Sequence, residues 1–160
     1  AVVALYYDRS TETIYFADEI YKRGLSNEAL AAEIRAHSLD HVGETKKNPI
    51  TGAETAPEQV IYCDCAEPKS ITDLRTYGLQ ARPCTKRPGC VNYRIKWLQK
   101  RTLVVDPRRT PNIYREFSQY EYDTDKDGNF LPSVPDRDNH TIDSVAYSLD
   151  RLIFNKNEGA

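Results

Sequence analysis

An α/β domain, with a central mixed sheet flanked by helices, is what this sequence predicts, and two observations carry the prediction. The chain opens on two adjacent β-branched and aromatic runs, and beyond residue 60 short apolar runs alternate with segments of helical period. Such alternation belongs to strands and helices layered on one another rather than to a helix bundle. With 160 residues, 39% of them hydrophobic and 29% charged, the chain can bury one compact core and is short for two, so a single domain is expected.

Val2 to Tyr7 (VVALYY) predicts a buried strand, Asp8-Arg9-Ser10-Thr11 a turn, and Thr13 to Ile20 (TIYFADEI) its antiparallel partner. Ser26 is placed to cap a helix over Asn27 to His37, in which Leu30, Ile34 and His37 recur at helical spacing. Residues 38–58 are polar without a sustained apolar period, which predicts a long mobile surface loop. Val60 to Cys63 (VIYC) predicts a short strand ending at Asp64, followed by a helix with Pro68 in its first turn and Gly78 closing it. Pro88 to Lys100 continues as helix with Val91, Ile95 and Leu98 on one side, and Thr102 to Val105 (TLVV) is the next strand. Thr110-Pro111 opens a helix carrying Ile113, Tyr114 and Phe117, Tyr120 to Tyr122 and Phe130-Leu131 flank a polar turn as a hairpin does, and a last helix runs from Asp138 or Asn139 to Phe154 with Ile142, Val145, Leu149 and Leu152 inward.

Net charge is −2, but it is unevenly spread. Between Lys69 and Arg109 eleven Lys and Arg residues face only Asp73 and Asp106, a balance of +9 that leaves −11 for the remainder. A basic stretch of this kind is either a solvated face or a phosphate-binding surface, and charge alone does not choose. The cysteines Cys63, Cys65, Cys84 and Cys90 lack the paired spacing of a structural zinc site and read as free thiols suited to a reducing compartment. No apolar run reaches the roughly 18 residues of a membrane span, and the amino terminus has no secretion signal, so a soluble, non-secreted protein is expected.

Asp64 ends an apolar strand, where open α/β sheets place their sites, although a strand-end aspartate also serves simply to accept hydrogen bonds from the following loop. Asp143 lies in the first turns of the last helix with His140 one turn before it on the same face. A carboxylate there favours the helix dipole; set in an otherwise apolar helix, it also suits a metal ion. Carboxylates on separate elements are chemically coherent with two divalent ions about 3.5–4 Å apart that cleave a phosphodiester. Asp123, Asp125, Asp127 and Gly128 imitate the start of a calcium loop, but its twelfth position is Val134 rather than glutamate, which leaves a hairpin turn. The phosphate-binding GxxxxGK[ST] loop is absent, and His37, His41 and His140 form no recognisable nucleophile constellation with serine or cysteine.

Three segments, in order, resemble the nuclease domain of phage large terminases. Asp64 to Ile71 (DCAEPKSI) resembles that family's second acidic motif, Pro83 to Val91 (PCTKRPGCV) its lysine-bearing loop ahead of a helix ending in Leu98-Gln99, and Asn139 to Tyr147 (NHTIDSVAY) its final acidic motif. The resemblance implies a ribonuclease H-like fold and a metal-dependent endonuclease that cuts concatemeric double-stranded DNA at the start and end of genome packaging. It implies that Asp64 and Asp143 bind Mg²⁺ or Mn²⁺ in a two-metal site, that His140 assists that site or contacts the scissile phosphate, and that Lys69, Lys86 and Arg87 contact DNA phosphates. In the intact protein the partners implied are an ATPase motor domain, the portal and the small terminase subunit, with no membrane, and the place is the host cytoplasm at the procapsid portal vertex.

Three departures qualify the resemblance. Family members carry a first catalytic aspartate on a strand just before the segment matched by AVVALYY, so the chain is expected to be a fragment lacking that strand and the motor, with impaired activity. Cys65 stands where serine is common, and Ala146 where arginine is common. Glu19 or Asp18 is the candidate substitute for the missing ligand, against a surface or edge-strand role. A ribonuclease H-like resolvase or integrase would share the acids without needing the AEPKSI segment, and a non-catalytic module binding DNA or the portal would fit the missing aspartate.

Overall fold

The computed structural model describes residues 1–44, 46–85, 88–131 and 139–154. Its strands are β1 (Val2–Asp8), β2 (Thr13–Ile20), β3 (Lys46–Lys47), β4 (Glu54–Thr55), β5 (Val60–Cys63), β6 (Gln80–Pro83) and β7 (Thr102–Val104). Its helices are α1 (Asn27–Ala36), α2 (Pro68–Thr76), α3 (Cys90–Leu98), α4 (Pro111–Gln119), α5 (His140–Ser148) and α6 (Asp150–Phe154). Two compact units divide the chain, Ala1–Tyr21 with the segment from Cys84 on, and Lys22–Pro83.

The first unit is built on a three-stranded mixed sheet in the order β1-β2-β7, antiparallel between β1 and β2 and parallel between β2 and β7. The β1–β2 turn is closed by Asp8, whose carboxylate accepts from the Ser10 N–H at 2.9 Å and from the Ser10 and Thr11 hydroxyls at 2.7 and 2.9 Å. Strand alternation then sends Ile14 and Phe16 into the core and leaves Tyr15 outside, paired across the strands with Tyr6. Helix α5 packs on β1, and Ile14, Ile113, Val145 and Leu149 are fully sequestered between the sheet and the helices. Each such side chain contributes about 1.5–3 kcal/mol of burial, so this cluster is the anchor of the unit.

In the second unit α1 follows Ser26, whose hydroxyl accepts from the Ala29 N–H at 3.1 Å. Strands β5 and β6 are parallel and joined through α2, which packs on β6. Two backbone bonds close α2, Gly78 N–H to Arg75 O at 2.9 Å and Leu79 N–H to Leu74 O at 3.1 Å. That closure needs φ +82° at residue 78, in the left-handed region that glycine adopts without strain. Ala31, Ile34, Ile71, Leu74, Leu79 and Ala81 are the buried apolar residues of this unit.

Several expectations are corrected. Residues 38–58 are not loop throughout: β3 and β4 pair antiparallel, and the Asn48 carboxamide oxygen accepts from the Ile50 and Thr51 N–H groups to make their turn. Strand β6 was not foreseen, because Gln-Ala-Arg-Pro has no apolar run and buries only Ala81. In α3 the inward face is Cys90, Arg94 and Leu98, whereas Val91 is exposed. The last helix breaks at Leu149 into α5 and α6, although the apolar period runs straight through the break. Around Asp125 the polar turn forms, its carboxylate accepting from the Asp127 and Asn129 N–H groups, but only one bridge, Thr124 to Phe130, flanks it among the described residues.

Candidate functional site

Asp64 stands one residue beyond β5, at the carboxyl end of a strand in a parallel pair, and its side chain is exposed. The backbone turns sharply here because Asp64 Oδ1 accepts from the Ala66 N–H at 3.0 Å, a local Asx turn that delivers the chain into α2. Lys69 is exposed in the first turn of α2. The second half of the helix is tied to its neighbours: Asn27 Nδ2 donates to Asp73 Oδ2 at 2.9 Å, and Arg75 Nε donates to Ala81 O at 2.8 Å on β6. Asp64 therefore sits on a short, well-tied strand, turn and helix.

His140 and Asp143 occupy the first turn of α5, three positions apart and hence on one helix face. His140 is exposed, with its ring 6.2 Å from that of Tyr21, and Asp143 is half-buried. Arg115, on α4, lies over the other partner of this contact, its guanidinium 5.5 Å from the Tyr21 ring centroid. Asn139 is the residue before α5 but its side chain makes no capping bond. Glu116 on α4 supplies the cap instead, its Oε2 accepting from the Thr141 N–H and the Thr141 hydroxyl, both at 2.6 Å.

Helix α4 is begun in the same way. Thr110 precedes it without a side-chain cap, and Glu19 on β2 accepts from the Asn112 N–H and Nδ2 through one oxygen, at 2.9 and 2.7 Å, and from the Ile113 N–H through the other, at 2.9 Å. Glu19 is thus a helix cap, and β2 is the middle strand of its sheet rather than an edge. The expected substitute ligand at Glu19 or Asp18 is accordingly not supported at Glu19, whose two oxygens are both engaged.

Lys86 and Arg87 lie outside the described residues, but Thr85 immediately before them is pinned. Its N–H and hydroxyl donate to Asp150 Oδ2 at 2.9 and 2.5 Å, and its carbonyl accepts from Arg94 Nη2 at 2.7 Å. Arg94 also binds Asp150 Oδ1 at 2.7 Å and lies between the Tyr147 and Phe154 rings, 5.2 and 5.4 Å from their centroids. Burial pushes the Arg94 guanidinium toward losing its proton, but the hydrogen bond to Asp150 and nearby negative charge prevail and hold it above its ordinary value. So Arg94 belongs to the core, and Arg101, over the Trp97 ring at 4.0 Å and 3.3 Å from Glu12, is likewise engaged. The basic stretch offers fewer cations to a phosphate surface than its +9 suggests; Lys69, Arg75, Arg82, Lys96, Lys100, Arg108 and Arg109 are its exposed ones among the described residues. Neither the caps nor the Arg94–Asp150 pair had a sequence signal, since their partners lie 25 to 94 residues apart.

The family described as terminase RNAse H-like domain matches residues 1–151. The chain is 34% identical over 154 residues to the large terminase subunit of Bacillus phage SPP1, covering 94% of this chain and 32% of the relative. It is 27% identical over 150 residues to the PBSX phage terminase large subunit of Bacillus subtilis strain 168, covering 94% and 31%. The chain thus spans about a third of the length of these curated relatives. Among solved structures it is similar to the nuclease domain of the SPP1 large terminase, crystallised with bound Mn, at a TM-score of 0.77 and 33% identity over 93% of this chain and 76% of that one. Among the described residues no helix is long and apolar enough to cross a membrane.

Proposed function

This chain belongs to the family of terminase RNAse H-like domains, and from that membership we propose that it is the metal-dependent endonuclease of a large terminase, cutting concatemeric double-stranded DNA when packaging begins and when it ends. The observation that carries the reading is Asp64, an exposed carboxylate at the carboxyl end of a strand in a parallel pair, within a chain similar to a nuclease domain that binds Mn. Carboxylate oxygens are the donors that hard divalent ions select, and Asp64, with Oδ1 engaged by its own turn, fits such an ion.

In this reading Asp64 and Asp143 hold Mg²⁺ or Mn²⁺. When bound as a pair, such ions supply an activated water and stabilise the leaving oxygen of the phosphodiester. His140, exposed at the start of α5, donates a hydrogen bond to a phosphate oxygen or holds a proton beside the reacting group. Lys69 meets the DNA backbone from the first turn of α2, where the helix dipole also favours an anion. Lys86 and Arg87 make further phosphate contacts, which fix the duplex while reading little sequence, as suits an enzyme that cuts whatever DNA is packaged. The whole protein works in the host cytoplasm at the procapsid portal, with its ATPase motor, the portal and the small subunit as partners.

The test is conversion of supercoiled plasmid to linear and shorter products in Mg²⁺ or Mn²⁺. Cleavage that requires the metal, stops with EDTA and falls by roughly a thousandfold or more in Asp64→Ala and Asp143→Ala supports the reading. Metal-independent DNA binding with no cleavage in any ion would replace it with a binding module.

A further inference from the structure

We infer that Glu116 is a positioning residue for the nuclease site, setting the first turn of α5 and through it His140 and Asp143; this rests on the nuclease reading of those two residues. Three observations converge on it. First, the Glu116 carboxylate takes both donors of Thr141, which lies between His140 and Asp143, at 2.6 Å each. Such short bonds to a carboxylate oxygen are strong and directional. Second, α5 has a residue of good capping type at its start, Asn139, whose side chain makes no capping bond. A remote acid fixes the turn to α4, which a local cap does not.

Third, the arrangement is expensive. Glu116 is 2% exposed and its Oε1 has no hydrogen-bond partner among the described residues, although the Ala1 ammonium acts on the carboxylate through space. A buried carboxylate with one oxygen unsatisfied weakens a core compared with an apolar residue, so stability alone is a poor reason for it. The neighbouring residue acts in the same direction: Arg115 lies over Tyr21, whose ring meets His140. Adjacent residues of α4 thus meet the start of α5, Glu116 directly at Thr141 and Arg115 only by way of the Tyr21 ring. Partners that orient metal ligands typically change affinity or activity by about 10–100-fold when removed.

The experiment compares wild type with Glu116→Gln, Glu116→Ala, Thr141→Val, Thr141→Ser and Ile14→Val, the last a core change in the same unit that leaves both cap residues in place. Each is titrated with Mn²⁺ alone, reading the concentration that half-saturates the rise in Tm, and each is assayed for kcat and KM on plasmid DNA. Glu116→Ala and Thr141→Val should raise half-saturating Mn²⁺ about tenfold and lower kcat with little change in KM. Glu116→Gln, which keeps one acceptor, should fall between them and wild type. Thr141→Ser, which keeps both donors, should stay near wild type, and Ile14→Val should lose Tm with no change in Mn²⁺ dependence. If Glu116→Gln and Thr141→Val lose Tm as Ile14→Val does and keep wild-type Mn²⁺ dependence, Glu116 is a structural cap and the inference fails. Asp143→Asn separates the two failures: if it abolishes the Mn²⁺ response while the Glu116 variants do not, only the positioning claim falls, whereas an unchanged response in Asp143→Asn overturns the metal role of Asp143 and the positioning claim with it.

Discussion

Asp64 is held by its neighbours in sequence, whereas Asp143 rides on a helix whose first turn is fixed from 25 residues away. On the Asp64 side an Asx turn, a proline in the first turn of α2 and a glycine closing that helix do the work within fifteen residues of chain. On the Asp143 side β2 caps α4 through Glu19, and α4 caps α5 through Glu116. The difference is between local devices, which a turn or cap forms as the chain passes, and tertiary devices, which exist only once separate elements have packed. Tertiary devices bury charge, so removing one partner should cost more than removing a local cap.

The comparison is tested first where the effect is largest. Asp150→Ala leaves Arg94 charged and uncompensated in the core and frees Thr85, and about 3–5 kcal/mol of stability should be lost in urea unfolding. A loss under about 1 kcal/mol, the range of an exposed pair, would show that Arg94 reaches solvent. Glu19→Ala removes three hydrogen bonds from the start of α4 and should cost about 2 kcal/mol in the same measurement. Ser26→Ala, the local counterpart on α1, should cost about 1 kcal/mol. Should Ser26→Ala cost as much as Glu19→Ala, the distinction between local and tertiary caps fails.

The smallest effect belongs to Asp8. Its carboxyl lies below the ordinary carboxylate range because the Ser10 hydroxyl, the Thr11 hydroxyl and the Ser10 N–H donate to it. A depressed folded value means that the contribution is present above the ordinary range and is lost as pH falls through the lower folded value. Thermal melts at decreasing pH should therefore show a shallow acid-side loss that Asp8→Asn removes, and an identical acid-side slope in the variant would contradict this.

The same distinction explains what could be read from the sequence. The β1–β2 hairpin, the Ser26 cap, and the strand, turn and helix around Asp64 were legible because each is written within one stretch of chain as alternation, cap or Pro and Gly punctuation. His140 and Asp143 were legible as one helix face for the same reason. Glu19 reads as a candidate metal ligand or an edge-strand acid rather than a cap, and Glu116 draws no notice, because a donor far off in sequence leaves no periodic trace. Arg94 was counted in a basic stretch because a buried arginine and an exposed one look alike until their partners are known. Strand β6 was missed because a pairing partner, not apolar content, makes Gln80–Pro83 a strand.

The central proposal, which rests on the family's acidic motifs, is that Asp64 and Asp143, held by such different means, bind metal together. Mn²⁺ binding, followed by the electron paramagnetic resonance signal of free Mn²⁺, tests it most directly in wild type, Asp64→Asn, Asp143→Asn and the double variant. Each single substitution should weaken binding by roughly tenfold or more, and the double should be far less than additive, as for residues that act as a unit. Binding left unchanged by either substitution, or losses that simply add as for two independent sites, would contradict it.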